Sequence, residues 1–317
     1  MASTPFLLHG FMTITTAIAK ARIQQTSNGM LPPKPKLVSG IEKLENKHHD
    51  ELLVFLARRP IHTVCMASFV RDNGVVSPLN RGTFYGYRGK ARKLEGVALV
   101  GHSTLIESES EAALRAFAEL THNAAPSHLI RGEHQMIDRF WVHYAGLGHK
   151  ARLTCHEQLF QCQSVPQLAG PQPDLRPATL QQLNQIAEIN AEMVLAECGV
   201  DPLIKDPKGF VARLSRRIDQ GRIWIWQRNN KVIFKTDIFA ETPEMMYLEG
   251  VFVNPQERGR GVGQRCLTHL SHLLLQRSKS LCLLINEDKP SMQHFYKSAG
   301  FQTEGTYETI YFTPRTT

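Results

Sequence analysis

The stretch that decides the fold reads Leu248-Glu249-Gly250-Val251-Phe252-Val253-Asn254-Pro255-Gln256-Glu257-Arg258-Gly259-Arg260-Gly261-Val262-Gly263. Its apolar run predicts a strand over Met246–Val253, and the periodic apolar residues after the glycines predict a helix from Val262. Glycines let a backbone approach a ligand closely, and the first amides of a helix have no internal partner and lie at the positive end of its dipole. This order of strand, turn and helix predicts a phosphate or pyrophosphate pocket, to which Arg258 and Arg260 add positive charge.

Two familiar nucleotide-binding loops do not fit this stretch. No Gly-Lys-Ser/Thr follows the glycines, so it is not a Walker loop. It follows a strand of antiparallel type and no βαβ repeat continues from it, so it is not the dinucleotide fingerprint either.

The residues around this stretch predict an α/β block over 174–317. A hairpin is expected across Asn229-Asn230. The strands predicted in addition to Met246–Val253 are Leu175–Pro177, Arg222–Gln227, Lys231–Phe239, Leu281–Ile285 and Tyr307–Phe312. The predicted helices are Leu180–Cys198, Gly209–Gln220, Val262–Arg277 and Ser291–Ser298.

A second α/β block is predicted over residues 40–163, with a similar order of elements. Its predicted helices are Glu51–Ala57, Ile61–Asp72, Glu109–His122 and Met136–Ala145. Its predicted strands are Thr83–Tyr87, Leu94–Glu107, Leu129–Gly132 and Gln158–Cys162. Proline and glycine clusters predict a linker over 164–173. Residues 1–39 are expected to be a flexible tail, with a start at Met30 or an organelle-targeting segment as alternatives.

Composition narrows the class of protein. The chain has 317 residues and a net charge of +8, and the acid-free tail supplies half of that excess, so the rest is nearly balanced. The sequence has no dense basic stripe of the kind that indicates a nucleic-acid-binding surface. A nucleic-acid role for the basic tail stays as an alternative. The excess of positive charge also fits an anionic small ligand. No apolar run is long enough for a membrane span. The six cysteines and the histidines show no ligand spacing, so we expect no metal, no disulfide framework and a cytoplasmic location.

Two motifs carry a resemblance to a known family. Val251-Phe252-Val253-x-Pro-x-x-Arg258-Gly-x-Gly261-x-Gly263 resembles the acetyl-CoA-binding motif of the GNAT N-acetyltransferases, and Phe295-Tyr-Lys-Ser-Ala-Gly-Phe301 resembles their second motif, at the matching spacing. The resemblance implies a mixed-sheet GNAT fold at the C-terminus and acetyl-CoA as cosubstrate. It further implies direct acetyl transfer to a primary amine of unknown identity within a ternary complex. The rival interpretation is a non-catalytic acyl-CoA-binding or sensing module.

The resemblance assigns coenzyme contacts residue by residue. The backbone of 251–253 would pair with the pantetheine arm, and the amides of 259–264 would hold the pyrophosphate. Lys289 stands where many members have asparagine, with Asn286 three residues earlier, so Lys289 would instead pair with a coenzyme phosphate. The full predicted set is Val251, Phe252, Val253, Arg258, Gly259, Arg260, Gly261, Val262, Gly263, Gln264, Asn286 and Lys289.

Two residues are candidates for the chemistry. By resemblance, Tyr296 would protonate the departing thiolate or orient the thioester sulfur; the alternative is a half-buried packing residue. Strand alternation places Glu249 on the face of Val251, where its carboxylate would take the proton of the amine directly or through water. The alternative for Glu249 is a substrate-binding or structural carboxylate.

The front block resembles a degenerate GNAT copy. Val232-Ile233-Phe234-Lys235 and Gly305-Thr306-Tyr307 resemble bacterial GNAT proteins that carry a domain of unknown function in front. Where its phosphate loop would begin, the block has Glu107, Glu109 and Glu111 and no glycine. We therefore predict that residues 40–163 have a GNAT-like fold without bound coenzyme.

Overall fold

The computed structural model describes residues 38–101, 103–124, 127–167 and 173–312. The predicted tail lies outside this range apart from its last two residues, as do residues 168–172 of the predicted linker. The chain divides into two compact units, a C-terminal unit, Glu157–Gly305, and an N-terminal unit, which among the described residues comprises 38–156 and 306–312.

The N-terminal half of the chain supplies six strands and four helices among the described residues. These are β1 Ile41–Lys43, α1 His49–Leu56, α2 Pro60–Asn73, β2 Gly82–Arg88, β3 Leu94–Gly101, β4 Ser103–Ser108, α3 Glu111–Asn123, β5 Leu129–Glu133, α4 His134–Gly146 and β6 Ala151–Cys162.

The C-terminal half supplies six more strands and five helices within the described residues. These are β7 Leu175–Pro177, α5 Leu183–Cys198, α6 Pro202–Lys205, α7 Pro207–Asp219, β8 Ile223–Arg228, β9 Lys231–Glu241, β10 Met246–Val253, α8 Val262–Leu274, β11 Leu281–Asn286, α9 Pro290–Ser298 and β12 Gln302–Phe312. None of the helices in the described ranges combines the length and the apolarity that a membrane crossing requires.

Each unit contains a mixed sheet of six strands. In the N-terminal unit the order is β1-β2-β3-β4-β5-β12, and β4 with β5 is its parallel pair. In the C-terminal unit the order is β6-β11-β10-β9-β8-β7, and β10 with β11 is its parallel pair. The remaining neighbours within each sheet are antiparallel.

The borders of the two units differ from those of the two blocks predicted from the sequence, because the last strand of each block pairs within the other unit. Residues 157–162 of β6 pair with β11, from Leu281 opposite Cys162 to Asn286 opposite Glu157. Residues 307–311 of β12 pair with β5 in the N-terminal unit. The sequence puts the border at 164–173, whereas the units divide at 156/157 and 305/306, because backbone pairing with a distant strand leaves no compositional mark.

Local turn chemistry agrees with the sequence at the hairpin and departs from it in β3. Asn229 and Asn230 have φ of 49° and 60°, the paired positive values of a type I′ turn. The prediction of one strand over Leu94–Glu107 is wrong, because the chain folds back after Gly101 and β4 pairs antiparallel with β3. A Cβ at Gly101 would lie 2.2 Å from the backbone oxygen of Arg81, so only glycine fits there.

The sheet of the C-terminal unit is covered on both faces. Helix α8 presents a fully buried stripe to one face, and α5 and α7 bury their apolar residues against the other. The α8 stripe consists of Val262, Cys266, Leu270 and Leu274, which pack with Val251 and Val253 of β10. The opposite cluster includes Ile186, Phe210, Leu214 and Phe252. Strand β10 is therefore buried on both sides, in agreement with the apolar residues on either side of Glu249 and Gly250.

Candidate functional site

Strand β10 is irregular at its centre. Glu249 lies opposite Asp237 of β9 and Phe252 lies opposite Lys235, so two residues of β10 oppose one of β9. This bulge is possible because Gly250 adopts a φ of +62°, which favours glycine. Bulges turn side chains away from the regular alternation, so the bulge decides which way each β10 side chain faces.

The same strand separates from β11, its neighbour on the other side. Strands β10 and β11 pair only at Met246 with Leu281 and at Tyr247 with Cys282. From Leu248 onward the two parallel strands no longer pair. A gap between two parallel strands leaves backbone donors and acceptors on both edges, which an extended ligand can join as an added strand.

The gap leads to the glycine turn. Gly259 and Gly261 have φ of +73° and +70°, and a Cβ at either would meet no atom within 4 Å. The first hydrogen bond of helix α8 joins the backbone N–H of Arg265 to the backbone oxygen of Gly261, at 3.1 Å. The helical amides before it have no acceptor within the helix, and both glycines are exposed. The turn therefore offers a row of amides at a positive helix end to an anion.

Close packing requires a glycine at position 263, the third glycine of this segment. A Cβ at Gly263 would lie 2.7 Å from Cγ2 of Val253 and 3.1 Å from the Phe295 ring. Helix α8 thus touches β10 so closely that any larger residue would push it away. The Gln264 side chain donates to the backbone oxygen of Ser298 at 3.0 Å. The backbone N–H of Gln264, rather than its side chain, is therefore left for a ligand.

The two arginines of the turn have different surroundings. Arg258 is half-buried, and its Nε donates to the Val253 oxygen at 3.0 Å, which braces the turn against the strand. Burial lowers the pKa of Arg258. Arg260 is exposed, 3.7 Å from Glu257, and Glu257 also pairs with Arg228. Arg260 is thus the more mobile charge of the two.

Tyr296 lies on α9 and is more buried than the half-buried side chain expected from the sequence, with 1% of its surface exposed. Its ring packs edge-on against Phe295 and Phe301, with centroids 5.0 and 5.9 Å away. It belongs to the same core cluster as Val251 and Val253, so Tyr296 lies on the α8 and α9 face of the sheet.

The two residues expected near the coenzyme from β11 and α9 have separate roles in the local fold. The Asn286 side chain accepts the amide of Asp288 at 2.9 Å, which closes the turn after β11. Lys289 is exposed at the start of α9, and its backbone oxygen accepts the Met292 and Gln293 amides.

Glu249 faces the other side of the sheet. The expectation that it shares a face with Val251 is wrong, because the bulge at Gly250 inserts one residue and reverses the alternation. Glu249 Oε1 instead accepts from Nη1 of Arg217 on α7 at 3.0 Å. Its side chain therefore lies beneath α5 and α7, opposite the face that buries Tyr296.

Glu249 is part of a buried charged cluster that the sequence analysis missed. Lys235 and Asp237 in the middle of β9 are fully buried and 2.9 Å apart, and Lys235 Nζ donates to Oδ1 of Asn190 on α5 at 2.5 Å. Arg217 lies 3.7 Å from Asp237. A lysine and an aspartate inside an otherwise apolar strand were the available signal, because buried charges are rarely tolerated without a partner or a function.

Burial and the charges of this cluster shift the pKa of Glu249. Burial, reinforced by Asp237 and opposed by Arg217 and Lys235, raises the pKa of Glu249 to about 7. Burial lowers the pKa of Lys235, although Asp237 opposes this. Glu249 Oε2 is buried and makes no hydrogen bond to any described residue. A carboxylate with a pKa near neutrality and an unused oxygen can act as a proton acceptor.

The corresponding loop of the N-terminal unit is built differently. Only two residues separate β4 from α3, and the Ser110 side chain caps the helix by accepting the Ala113 amide. Glu107 is buried and pairs with Arg59 at 3.0 Å, and Glu111 pairs with Arg139 at 2.9 Å. Two of the three acids are thus compensated by arginines, and a short serine-capped turn stands where the C-terminal unit has its glycine turn.

Known proteins share this fold. Residues 219–303 match the family model described as acetyltransferase (GNAT) domain. A GNAT-family acetyltransferase from Colwellia psychrerythraea is similar at 14% identity and a TM-score of 0.51, with 86% of this chain and 99% of that chain covered. A Drosophila protein is similar at 14% identity and a TM-score of 0.61, with 87% and 99% covered. No relative was found among the curated proteins.

A tandem GNAT protein from the clavulanic acid biosynthesis pathway is similar over most of its length. It is 10% identical, with a TM-score of 0.53 and coverage of 86% of this chain and 98% of that chain. The fold is thus a C-terminal mixed-sheet GNAT domain preceded by a second, GNAT-like α/β domain. Residues 219–303 thus match the GNAT acetyltransferase domain, and the chain shares the fold of solved GNAT acetyltransferases.

Proposed function

We propose that this protein transfers the acetyl group of acetyl-CoA to a primary amine by direct attack within a ternary complex. The observation that carries the proposal is the gap between β10 and β11, which opens at Leu248 and leads to the turn at Gly259 and Gly261. The pantetheine arm would pair with the edge of residues 251–253, and the pyrophosphate would accept from the amides of the turn.

The positions of the two candidate residues on opposite faces of the sheet support different roles for them. Glu249 lies on the α5 and α7 face and Tyr296 on the α8 and α9 face. A thioester held in the gap would be open to both. The amine would approach from the Glu249 side and lose its proton to that carboxylate, while the thiolate would leave on the Tyr296 side and take a proton there.

The electrons and protons of this reaction balance without a covalent enzyme intermediate. The amine nitrogen forms a bond to the thioester carbon, and the carbon–sulfur bond breaks when the tetrahedral intermediate collapses. The amine proton goes to Glu249, and the sulfur receives a proton from Tyr296. Before the next cycle Glu249 gives its proton to water and Tyr296 takes one from water. Products are the amide and coenzyme A.

A binding module without catalysis is the second candidate. It is favoured by the ion pair that holds Glu249 to Arg217 and by the burial of Tyr296. Turnover decides between the two: the protein is incubated with acetyl-CoA and a panel of amines and peptides, and free coenzyme A and acetylated products are measured. Release of coenzyme A that depends on an acceptor supports the enzyme, whereas tight binding without turnover on any acceptor supports the module.

The coenzyme site itself is tested by Gly261→Asp in the full chain. The substitution places a negative side chain at the phosphate position, so calorimetric binding of coenzyme A, expected at one site per chain, should disappear. Gly221→Asp is the matched control, because Gly221 also has a positive φ, +67°, and open space at its Cβ. If coenzyme A binds Gly261→Asp as it binds the parent, or binds at two sites, the assignment is wrong.

A further inference from the structure

Three side chains from distant parts of the sequence meet in the N-terminal unit. They are His134, the first residue of α4, His156 of β6 and Glu308 of β12. One ligand atom of each lies within 4.8 Å of the others. Nδ1 of His134 is 3.7 Å from Oε2 of Glu308, and Nδ1 of His156 is 3.7 Å from Oε1 of the same carboxylate. Each oxygen of the Glu308 carboxylate therefore faces one imidazole nitrogen.

Two of these atoms make no hydrogen bond to a described residue. The Glu308 side chain is 6% exposed, and its Oε2 and the Nδ1 of His134 are both buried without a hydrogen bond to any described residue. Buried polar atoms are nearly always paired, and an exception calls for an explanation such as a bound ion. A cation between Oε2 and Nδ1 would satisfy both.

A second carboxylate orients His134. Nε2 of His134 is 3.4 Å from Oδ2 of Asp138, one helical turn further along α4. With the proton on Nε2, toward Asp138, the lone pair of Nδ1 points toward Glu308. Histidines that bind metals almost always donate the other ring N–H to a carboxylate, a backbone carbonyl or water, which fixes the tautomer.

The distances suit a small divalent ion. Ligands about 2.0–2.1 Å from a tetrahedral zinc are roughly 3.4 Å apart. The two histidine–carboxylate distances of 3.7 Å are close to this value, and the other separations in the group, within 4.8 Å, would close as the ion binds. Two imidazoles and one carboxylate are zinc ligands, whereas Mg²⁺ and Ca²⁺ prefer all-oxygen sites. His156 is 48% exposed, which leaves an entry path and room for a water ligand.

We propose that His134, His156 and Glu308 bind one Zn²⁺ with water in the fourth position, and that Asp138 positions His134. The ion would tie the last strand of the N-terminal unit to α4 and β6. It would stabilise the folded protein, because the unfolded chain does not hold these ligands together. The proposal does not depend on the acetyl-transfer function.

The test uses the full-length, untagged protein after removal of metals by a chelator. Titration with ZnCl₂ by calorimetry should give one tight site per chain and raise the melting temperature, whereas MgCl₂ should do neither. Glu308→Gln and His156→Ala should abolish the tight site, and Asp138→Asn should weaken it about 10–100-fold. His156→Ala removes a half-exposed side chain and should fold even if Glu308→Gln does not.

The matched control is His143→Ala. His143 is also a histidine beside one carboxylate, Glu111, but it is not among the three ligands. Zinc binding in this variant should equal that of the parent. The proposal is overturned if the parent binds no zinc, or if His156→Ala and His143→Ala bind it equally.

Discussion

At the scale of single residues, the hydroxyl of Tyr296 is where the proposed mechanism is most easily tested. Tyr296→Phe keeps the ring between Phe295 and Phe301 and removes only the proton donor. Help from a general acid is worth about 10²–10⁴-fold, so kcat should fall on that scale or somewhat less, while calorimetric affinity for coenzyme A stays the same. An unchanged kcat on a true acceptor would mean that Tyr296 is only a packing residue.

Glu249 gives a second residue-scale prediction, on pH dependence. Its pKa is raised to about 7 by burial and Asp237, against Arg217 and Lys235. A base works only when ionised, so kcat/KM should fall tenfold per pH unit as the pH drops below about 7. In Glu249→Gln the contribution of the carboxylate to this acid limb should vanish, so that only the ionisation of the acceptor amine remains, and the rate above pH 8 should be much lower.

The control for this pH profile is Glu241→Gln. Glu241 lies at the end of β9 and pairs with Arg277, away from the proposed site, so its variant should keep the acid limb. The acceptor amine has its own ionisation, which neither variant changes. A full rate and an intact limb in Glu249→Gln would rule out Glu249 as the base.

At the scale of elements, the contact of α8 with β10 depends on Gly263. Gly263→Ala would place a Cβ 2.7 Å from Val253, and overpacking of this kind costs about 1–3 kcal/mol. Urea unfolding should show that loss of stability. Gly146→Ala, with no atom within 4 Å of the added Cβ, should change the free energy of unfolding by no more than roughly 0.5 kcal/mol; equal effects in both variants would contradict the packing argument.

At the scale of the whole molecule, the strand exchange predicts which fragments can fold. The fragment 174–317 lacks residues 157–162, which pair with all of β11 and place Phe160 and Cys162 in its core cluster. It should show no cooperative thermal transition and no stabilisation by coenzyme A. The fragment 157–305 keeps that strand and should show both. Cooperative melting of 174–317 would mean that β6 is dispensable.

The sequence alone determined the features that depend on neighbouring residues. The strand Met246–Val253, the Asn229-Asn230 hairpin, the start of α8 and the glycine turn are all local, since turn chemistry and apolar periodicity act within a few residues. The GNAT assignment followed from the same local motif and its spacing to Tyr296.

Only the tertiary structure decided which distant residues meet. The pairing of β6 with β11 and of β12 with β5 joins residues more than a hundred positions apart, and the bulge at Gly250 moved Glu249 to the opposite face. The convergence of His134, His156 and Glu308 likewise joins segments that are distant in the sequence. Register is fixed by burial and backbone hydrogen bonds between separate segments, and no local pattern records those bonds.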